Sequence, residues 1–215
     1  MKEIKWPGIL FVTGIDTDAG KSYATGWIAQ EIASQGESVI TQKFIQTGNQ
    51  DMSEDIEVHR RLMGTGYLPE DLDHTTAPII FTYPASPDLA AKIDGREIDF
   101  ALIEQSTEKL ASKYSHVLIE GAGGIMVPLK GEYLTIDYVR EHRLQTVVVT
   151  NSRLGSINHT LLTLGALQQA GIEVFAVIYN PHFDKDKMIS ADTREYLQKW
   201  LKAKMPKTLL LEMDR

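Results

Sequence analysis

At 215 residues, with 43% hydrophobic and 24% charged side chains, the chain has ordinary globular composition and can bury about 70% of its unfolded surface without staples. It contains no cysteine, which excludes a disulfide framework, a thiolate metal site and a cysteine nucleophile. A formal net charge of −7 argues against a nucleic-acid partner, which needs basic surface against phosphate, but leaves room for local basic clusters around a phosphorylated ligand.

The N-terminal stretch carries Lys2 and Lys5, then Trp6-Pro7, then an apolar run too short for a signal segment or a bilayer span. It predicts an opening strand at Ile9–Val12, no membrane partner, and the cytoplasm as the default compartment. Ala24, Trp27, Ile28 and Ile32 mark one face of a helix after Lys21, stopped at Gly36. A second strand follows at Ser38–Thr41. The segment from Asn49 to about Pro87 fits the alternation least and is expected to cover the sheet's carboxyl edge. Within it, Asp55–Leu62 reads as a helix and Pro78–Phe81 as an additional strand. Leu102, Ile103 and Leu110 mark a weaker helix before a strand at Val117–Ile119. Val147–Val149 and Val174–Ile178 are strands on either side of a helix through Leu161, Leu164, Leu167 and Ala170, which stops at Gly171. Asp184–Lys187 reads as a solvated loop and Thr208–Leu211 as a last strand. Trp6, Trp27 and Trp200 read as packing residues. The strand runs are apolar without alternation, as strands covered on both faces should be. The chain is therefore expected to be α/β, a single domain over 1–215, with a mostly parallel sheet of about seven strands and helices on both faces.

The strongest chemical signal is Gly14-Ile15-Asp16-Thr17-Asp18-Ala19-Gly20-Lys21-Ser22, which follows a strand and opens a helix. Glycines let backbone N–H groups turn around phosphate oxygens, and the helix N-terminus adds partial positive charge. Lys21 can reach β/γ-phosphates, and the Ser22 hydroxyl can ligate Mg²⁺. The loop has five residues between its glycines where the common phosphate loop has four. It points to a P-loop NTPase fold; the bland alternative is a glycine-rich turn that binds nothing. Ile119-Glu120-Gly121-Ala122-Gly123-Gly124 puts an acid at a strand's carboxyl end, where it can hold Mg²⁺; the alternative is a tight turn with a solvated Glu. Lys43, after the second strand, is either a second cation near the γ-phosphate or a surface lysine, and the residues leave both open. Asp55 is either a metal ligand or, more often for such a residue, a first-turn partner of the helix dipole. The six histidines show no metal spacing.

Taken in order, these motifs resemble the dethiobiotin synthetase family. The resemblance runs from about Ile9 to Asn180. It rests on Phe11-Val12-Thr13-Gly14-x-Asp16-Thr17-x-x-Gly20-Lys21, Lys43 with Thr47-Gly48, Ala85-Ser86-Pro87, Val117 to Gly124, Pro128-Leu129, Leu154 to His159, and Asn180. It implies an ATP- and Mg²⁺-dependent ligase that carboxylates 7,8-diaminopelargonate with CO₂ and closes the ureido ring of dethiobiotin, through a carbamate and a carbamic–phosphoric anhydride. It further implies that Thr17, Asp18, Ala19, Gly20, Lys21 and Ser22 hold the triphosphate and that Ser22, Asp55 and Glu120 gather around Mg²⁺. Thr17, Lys21 and Lys43 would face the reacting groups. Thr47, Ser86 and the Gly121–Gly124 backbone, with Ala122 and Gly123, would lie along nucleotide and substrate. Asn180 and Pro181 would meet the adenine, and Asn158 would reach the substrate from the partner chain of a homodimer. Phe44 stands where such proteins usually carry proline. The stretch Leu211–Arg215 lacks the Gly-x-(Ile/Val)-Pro segment they commonly place over the base, which leaves nucleotide preference open. The alternative is a regulatory ATPase switch of the chromosome- or septum-positioning type. Those switches carry a lysine where this chain has Asp16.

Overall fold

The computed structural model describes residues 4–214, so Lys2 and Arg215 of the two terminal stretches lie outside the described residues. β1 (Ile9–Gly14), β2 (Val39–Lys43), β5 (His116–Gly124), β8 (Gln145–Thr150), β9 (Val174–Tyr179) and β10 (Leu209–Glu212) form a six-stranded sheet in the order β10-β9-β8-β1-β5-β2. Every neighbouring pair is parallel. Successive residues of a strand face opposite sides, and here they feed two cores. Leu10, Val12, Leu118 and Val147 pack with Ala24, Ile28 and Ile32 of α1 (Lys21–Ser34). Phe11, Val117, Ile119 and Val148 pack with residues of α5 (Phe100–Ala111), α7 (Ser156–Gln169) and α8 (Lys187–Lys204). Double-sided burial is the reason these strands are apolar without alternation.

The expected strand at Pro78–Phe81 forms, but outside the central sheet. Only Ile80–Phe81 (β4) is extended, and it pairs with Gln46–Thr47 (β3) in a separate two-stranded sheet. That region also holds α2 (Glu54–Met63), α3 (Pro69–Leu72) and α4 (Pro87–Ile93). A hairpin of β6 (Pro128–Lys130) and β7 (Tyr133–Leu134) leads into α6 (Thr135–Glu141). Asp184–Lys187 is not simply a solvated loop. The Asp184 side chain is buried and accepts hydrogen bonds from Ser152, Tyr179 and Arg194, while Asp186 caps α8 by accepting from Met188 N–H and Ile189 N–H. No helix among the described residues is long and apolar enough to cross a membrane.

α2 is brought tightly onto α1 at Gly26. A Cβ there would lie 2.6 Å from Leu62 Cδ1 and 2.9 Å from Leu62 Cβ, so any side chain would push the helices apart. At the other end of α2, Asp55 meets Ser22 and Lys43 at the carboxyl end of the sheet, where open α/β sheets bind ligands.

Candidate functional site

The glycine loop joins β1 directly to α1, and its last glycine is the N-cap of that helix. Gly20 has φ 92°, and a Cβ there would meet Asn180 Nδ2 at 2.1 Å. Only glycine allows both the left-handed backbone and this approach. Asn180, at the end of β9, donates to Ala19 O at 3.1 Å and accepts from His182 N–H at 3.0 Å. It thus holds the phosphate loop against the turn Pro181–Phe183. Lys21 donates to the carbonyls of Asp16 and Thr17 at 3.0 and 3.1 Å. Asp16 pairs with Arg153, whose guanidinium lies 4.8 Å from the centre of the Phe183 ring.

Beyond the loop, four polar side chains converge. Ser22 Oγ lies 2.5 Å from Asp55 Oδ1 and 3.0 Å from Glu120 Oε1. Lys43 Nζ is ion-paired with Asp55, sits 2.9 Å from Glu120 Oε1, and donates to Gly121 O at 3.3 Å. The sheet register accounts for part of this: Lys43 and Glu120 are direct partners across parallel β2 and β5, so their side chains leave the same face. Lys43 is only 4% exposed, which removes the surface-lysine alternative. Asp55 does lie in the first turn of α2, beside the Ser53 cap, but its carboxylate also reaches this cluster. Phe44, in place of a proline, is a buried core ring 5.6 Å from Phe11 and 4.7 Å from Tyr138. Its N–H, which proline would lack, donates to Glu120 O at 2.9 Å and extends the bonding between β2 and β5 to the site.

The charges of the cluster are set by burial and pairing. Burial alone would push Lys43 down, but Glu120 and Asp55 outweigh it and hold its ammonium above the ordinary lysine value. Lys21 is pushed below that value by burial and by the neighbouring Lys43. Burial disfavours the Glu120 carboxylate, yet Lys43 and His59 hold it well below the usual range. Glu120 is therefore an ionised acceptor with almost no solvent contact.

A cavity of about 900 Å³ opens over these groups, within the range of small-molecule sites. Thr17, Asp18, Gly20, Lys21, Ser22, Lys43, Thr47, Asp55, Glu120, Ala122, Gly123, Asn180 and Pro181 all line it. Ala19 and Gly121 do not line it; their carbonyls accept from Asn180 and Lys43 beside it. Ser86, Gly124 and Asn158 do not line it. Ser86 starts α4, downstream of the β4 strand that pairs with Thr47, and Asn158 is exposed in the first turn of α7. The far end of the cavity is built by residues that no motif marked: His182, Phe183, Asp184, Met213 and Asp214. Met213 arrives there because β10 runs parallel to β9 and its N–H bonds Tyr179 O. His59 and Arg60, behind the site, were also unmarked; a histidine in no metal spacing and an arginine on a polar helix face carry no sequence signal.

A family model described as an AAA domain matches residues 9–205. The chain is 47% identical over 206 residues to the ATP-dependent dethiobiotin synthetase of Pasteurella multocida, covering 96% of this chain and 97% of that one. It is 49% identical to the enzyme of that name from Haemophilus ducreyi, over 96% of this chain and 98% of that one. A third, from Chlorobaculum tepidum, is 50% identical over 90% of this chain and 81% of its own length. Among solved structures, a plasmid partition protein of Borrelia burgdorferi superposes with a TM-score of 0.55 at 15% identity, over 98% of this chain and 88% of that one. The cell division protein FtsY of Thermotoga maritima gives 0.52 at 13% identity, over 95% and 60%. At those identities the likeness is one of fold.

Proposed function

The chain belongs to the ATP-dependent dethiobiotin synthetase family, and from that premise we propose that it uses ATP to carboxylate 7,8-diaminopelargonate with CO₂ and to close the ureido ring of dethiobiotin. The observation that carries this reading is the meeting of Ser22, Lys43, Asp55 and Glu120 at the mouth of the phosphate loop. A neutral amine of the substrate adds to CO₂ and loses a proton, giving a carbamate. A carbamate oxygen attacks the γ-phosphorus of ATP, and ADP leaves. The carbamic–phosphoric anhydride now has phosphate as its leaving group. The neighbouring amine attacks the carbonyl carbon, phosphate departs, and a proton is released. The protein's part is to position these groups and to neutralise charge. Lys21 and Lys43 are the cations available for the transferred phosphoryl group, with Thr17 beside them. Thr47, Ser86, the backbone of Gly121, Ala122, Gly123 and Gly124, and Asn158 of a partner protomer would orient the substrate, and Asn180 with Pro181 would meet the adenine.

Mg²⁺ fits the donors present. Two carboxylates, each within hydrogen-bond distance of one hydroxyl, are with it hard oxygen ligands, and Mg²⁺ completes its shell with phosphate oxygens and water. The donors are two carboxylates and a hydroxyl, not a group of three or more His, Cys, Asp or Glu side chains placed to hold a metal, of which there is none among the described residues; Asp55, Glu120 and Ser22 would hold the cation together with the nucleotide's own oxygens. When bound it would neutralise charge on the β- and γ-phosphates. Exposed Leu154 and Met188 line a groove of about 460 Å³ between α7 and α8, close to Asn158 in the chain; this apolar surface supports a homodimer there. The test is an assay with diaminopelargonate, bicarbonate, Mg²⁺ and ATP, following product by mass. Dethiobiotin formed together with ADP and phosphate is expected; none from folded protein would overturn the reading.

A further inference from the structure

Glu120 is a buried acid whose two oxygens face different partners. Oε1 takes Ser22 and Lys43 on the cavity side, at 3.0 and 2.9 Å. Oε2 faces inward and lies 2.6 Å from His59 Nε2. His59 is fully buried on α2. An ionised carboxylate can only accept, so Nε2 must carry the proton and donate. The other ring nitrogen supports this. His59 Nδ1 lies 3.0 Å from Thr41 Oγ1, and Thr41 Oγ1 already accepts from Arg60 Nη1 at 2.9 Å. Thr41 Oγ1 donates to no other group among the described residues, so its hydrogen is available to Nδ1. Arg60 is itself fixed by a bidentate pair with Asp71, both bonds 2.8 Å. The series Asp71–Arg60–Thr41–His59–Glu120 is buried throughout.

We propose that His59 is a positioning residue for the metal site: by holding Oε2 of Glu120 inside the protein, it presents Oε1 alone to the cation, and the Arg60–Thr41 pair sets the ring tautomer that makes this possible. The inference rests on the Mg²⁺ reading above and extends it to a residue that touches neither nucleotide nor substrate. A histidine that donates to a ligand carboxylate orients it and stays in place while Lys43 can turn to phosphate. Losses of such outer partners typically cost about ten- to a hundredfold in metal affinity.

The test is Mn²⁺ binding in the presence of AMPPNP, read as free Mn²⁺ by electron paramagnetic resonance, so that no turnover is needed. The amide nitrogen of glutamine can reach the place of imidazole Nε2, whereas that of asparagine falls short. Folded His59→Gln is expected to bind Mn²⁺ nearly as the unsubstituted protein does, and His59→Asn about tenfold or more weakly. A residue with only a packing role would lower the melting temperature in both variants without separating their affinities; equal Mn²⁺ affinities overturn the proposal. If His59→Asn does not fold, Thr41→Val carries the test, since it keeps the side-chain shape and removes only the hydroxyl facing Nδ1. Weakened Mn²⁺ binding by folded Thr41→Val supports the proposal, and unchanged binding overturns it. Failure of the unsubstituted protein to bind Mn²⁺ with AMPPNP overturns the metal reading itself and the positioning role with it.

Discussion

Lys43 illustrates how a single side chain acquires a role from its surroundings. Its ammonium is buried between Asp55 and Glu120 and is held above the ordinary lysine value by them, so it is charged at any working pH. Glutamine at 43 keeps length and polarity and deletes that charge. In Lys43→Gln, kcat and kcat/KM should fall together by about a hundredfold or more, the scale of one preorganised electrostatic contact to a transition state. ATP binding in the presence of Mg²⁺ should persist, because the glycine loop and Lys21 are untouched and the two carboxylates no longer share their charge with an ammonium. Steady-state kinetics beside calorimetric ATP titration checks both halves. Loss of ATP affinity in proportion to rate would make Lys43 a ground-state phosphate ligand instead. At this scale the sequence was readable where a residue belongs to a local motif, as Gly20, Lys21 and Ser22 do. Lys43, Glu120 and His59 meet through strand register and helix docking, which no spacing along the chain encodes.

The element that assembles the site is α2. It contributes Asp55 toward the cavity and His59 and Arg60 toward the sheet, and Arg60 ties it to Asp71 of α3. Burial alone would raise the Asp71 carboxyl, but the Arg60 fork, the Leu68 N–H and the Thr76 hydroxyl hold it below the ordinary value. A carboxyl depressed in the folded state adds stability that is present above its unfolded pKa of about 3.9 and is lost as pH falls through the lower folded value. Asp71→Asn leaves the buried Arg60 without its counter-charge and should cost about 3–5 kcal/mol at neutral pH. The gap from the parent protein should narrow below about pH 4, where the parent begins to lose the same interaction. Urea unfolding at pH 7, 5 and 3 measures it; a gap that stays constant or widens toward pH 3 would contradict the assignment. The central strands were legible because burial on both faces leaves runs of Val, Ile and Leu. α8 was not, because its buried stripe is Ser190, Thr193, Leu197 and Leu201, half of it hydroxyl side chains that blur the helical period. β3 holds two residues, too few for any pattern; β4 was legible as a strand, but its pairing with β3 outside the central sheet was not.

Across the whole molecule, the groups assigned to one reaction are not gathered in one cavity. Lys21 and Lys43 line the 900 Å³ pocket, whereas Asn158 is exposed on α7, in a region where Leu154 and Leu162 are also left open, at 87% and 65%. A dimer with twofold symmetry would bring the α7 face of one protomer to the pocket of the other and cover those side chains. This predicts complementation. Lys21→Ala should abolish turnover through loss of a charge on the transferred phosphate, and Asn158→Ala should impair it through loss of a substrate contact. Each lesion then lies in a different half of a shared site. In a mixed dimer one site carries both lesions and the other carries neither. Equal amounts of the two variants, co-refolded, give mixed dimers as half of the population, and half of the sites in those are intact. Turnover should therefore recover to about a quarter of the unsubstituted rate per site, with the parental variants alone near their own low values. Recovery should also require exchange of subunits, so mixing folded variants for minutes at low temperature should restore less than co-refolding does. No recovery after co-refolding, with dimers shown by sedimentation, would place Asn158 and Lys21 in the same protomer's site or Asn158 outside it. A monomer in sedimentation would remove the shared site altogether, and substrate would have to be held by Thr47, Ser86 and the Gly121–Gly124 backbone of a single chain.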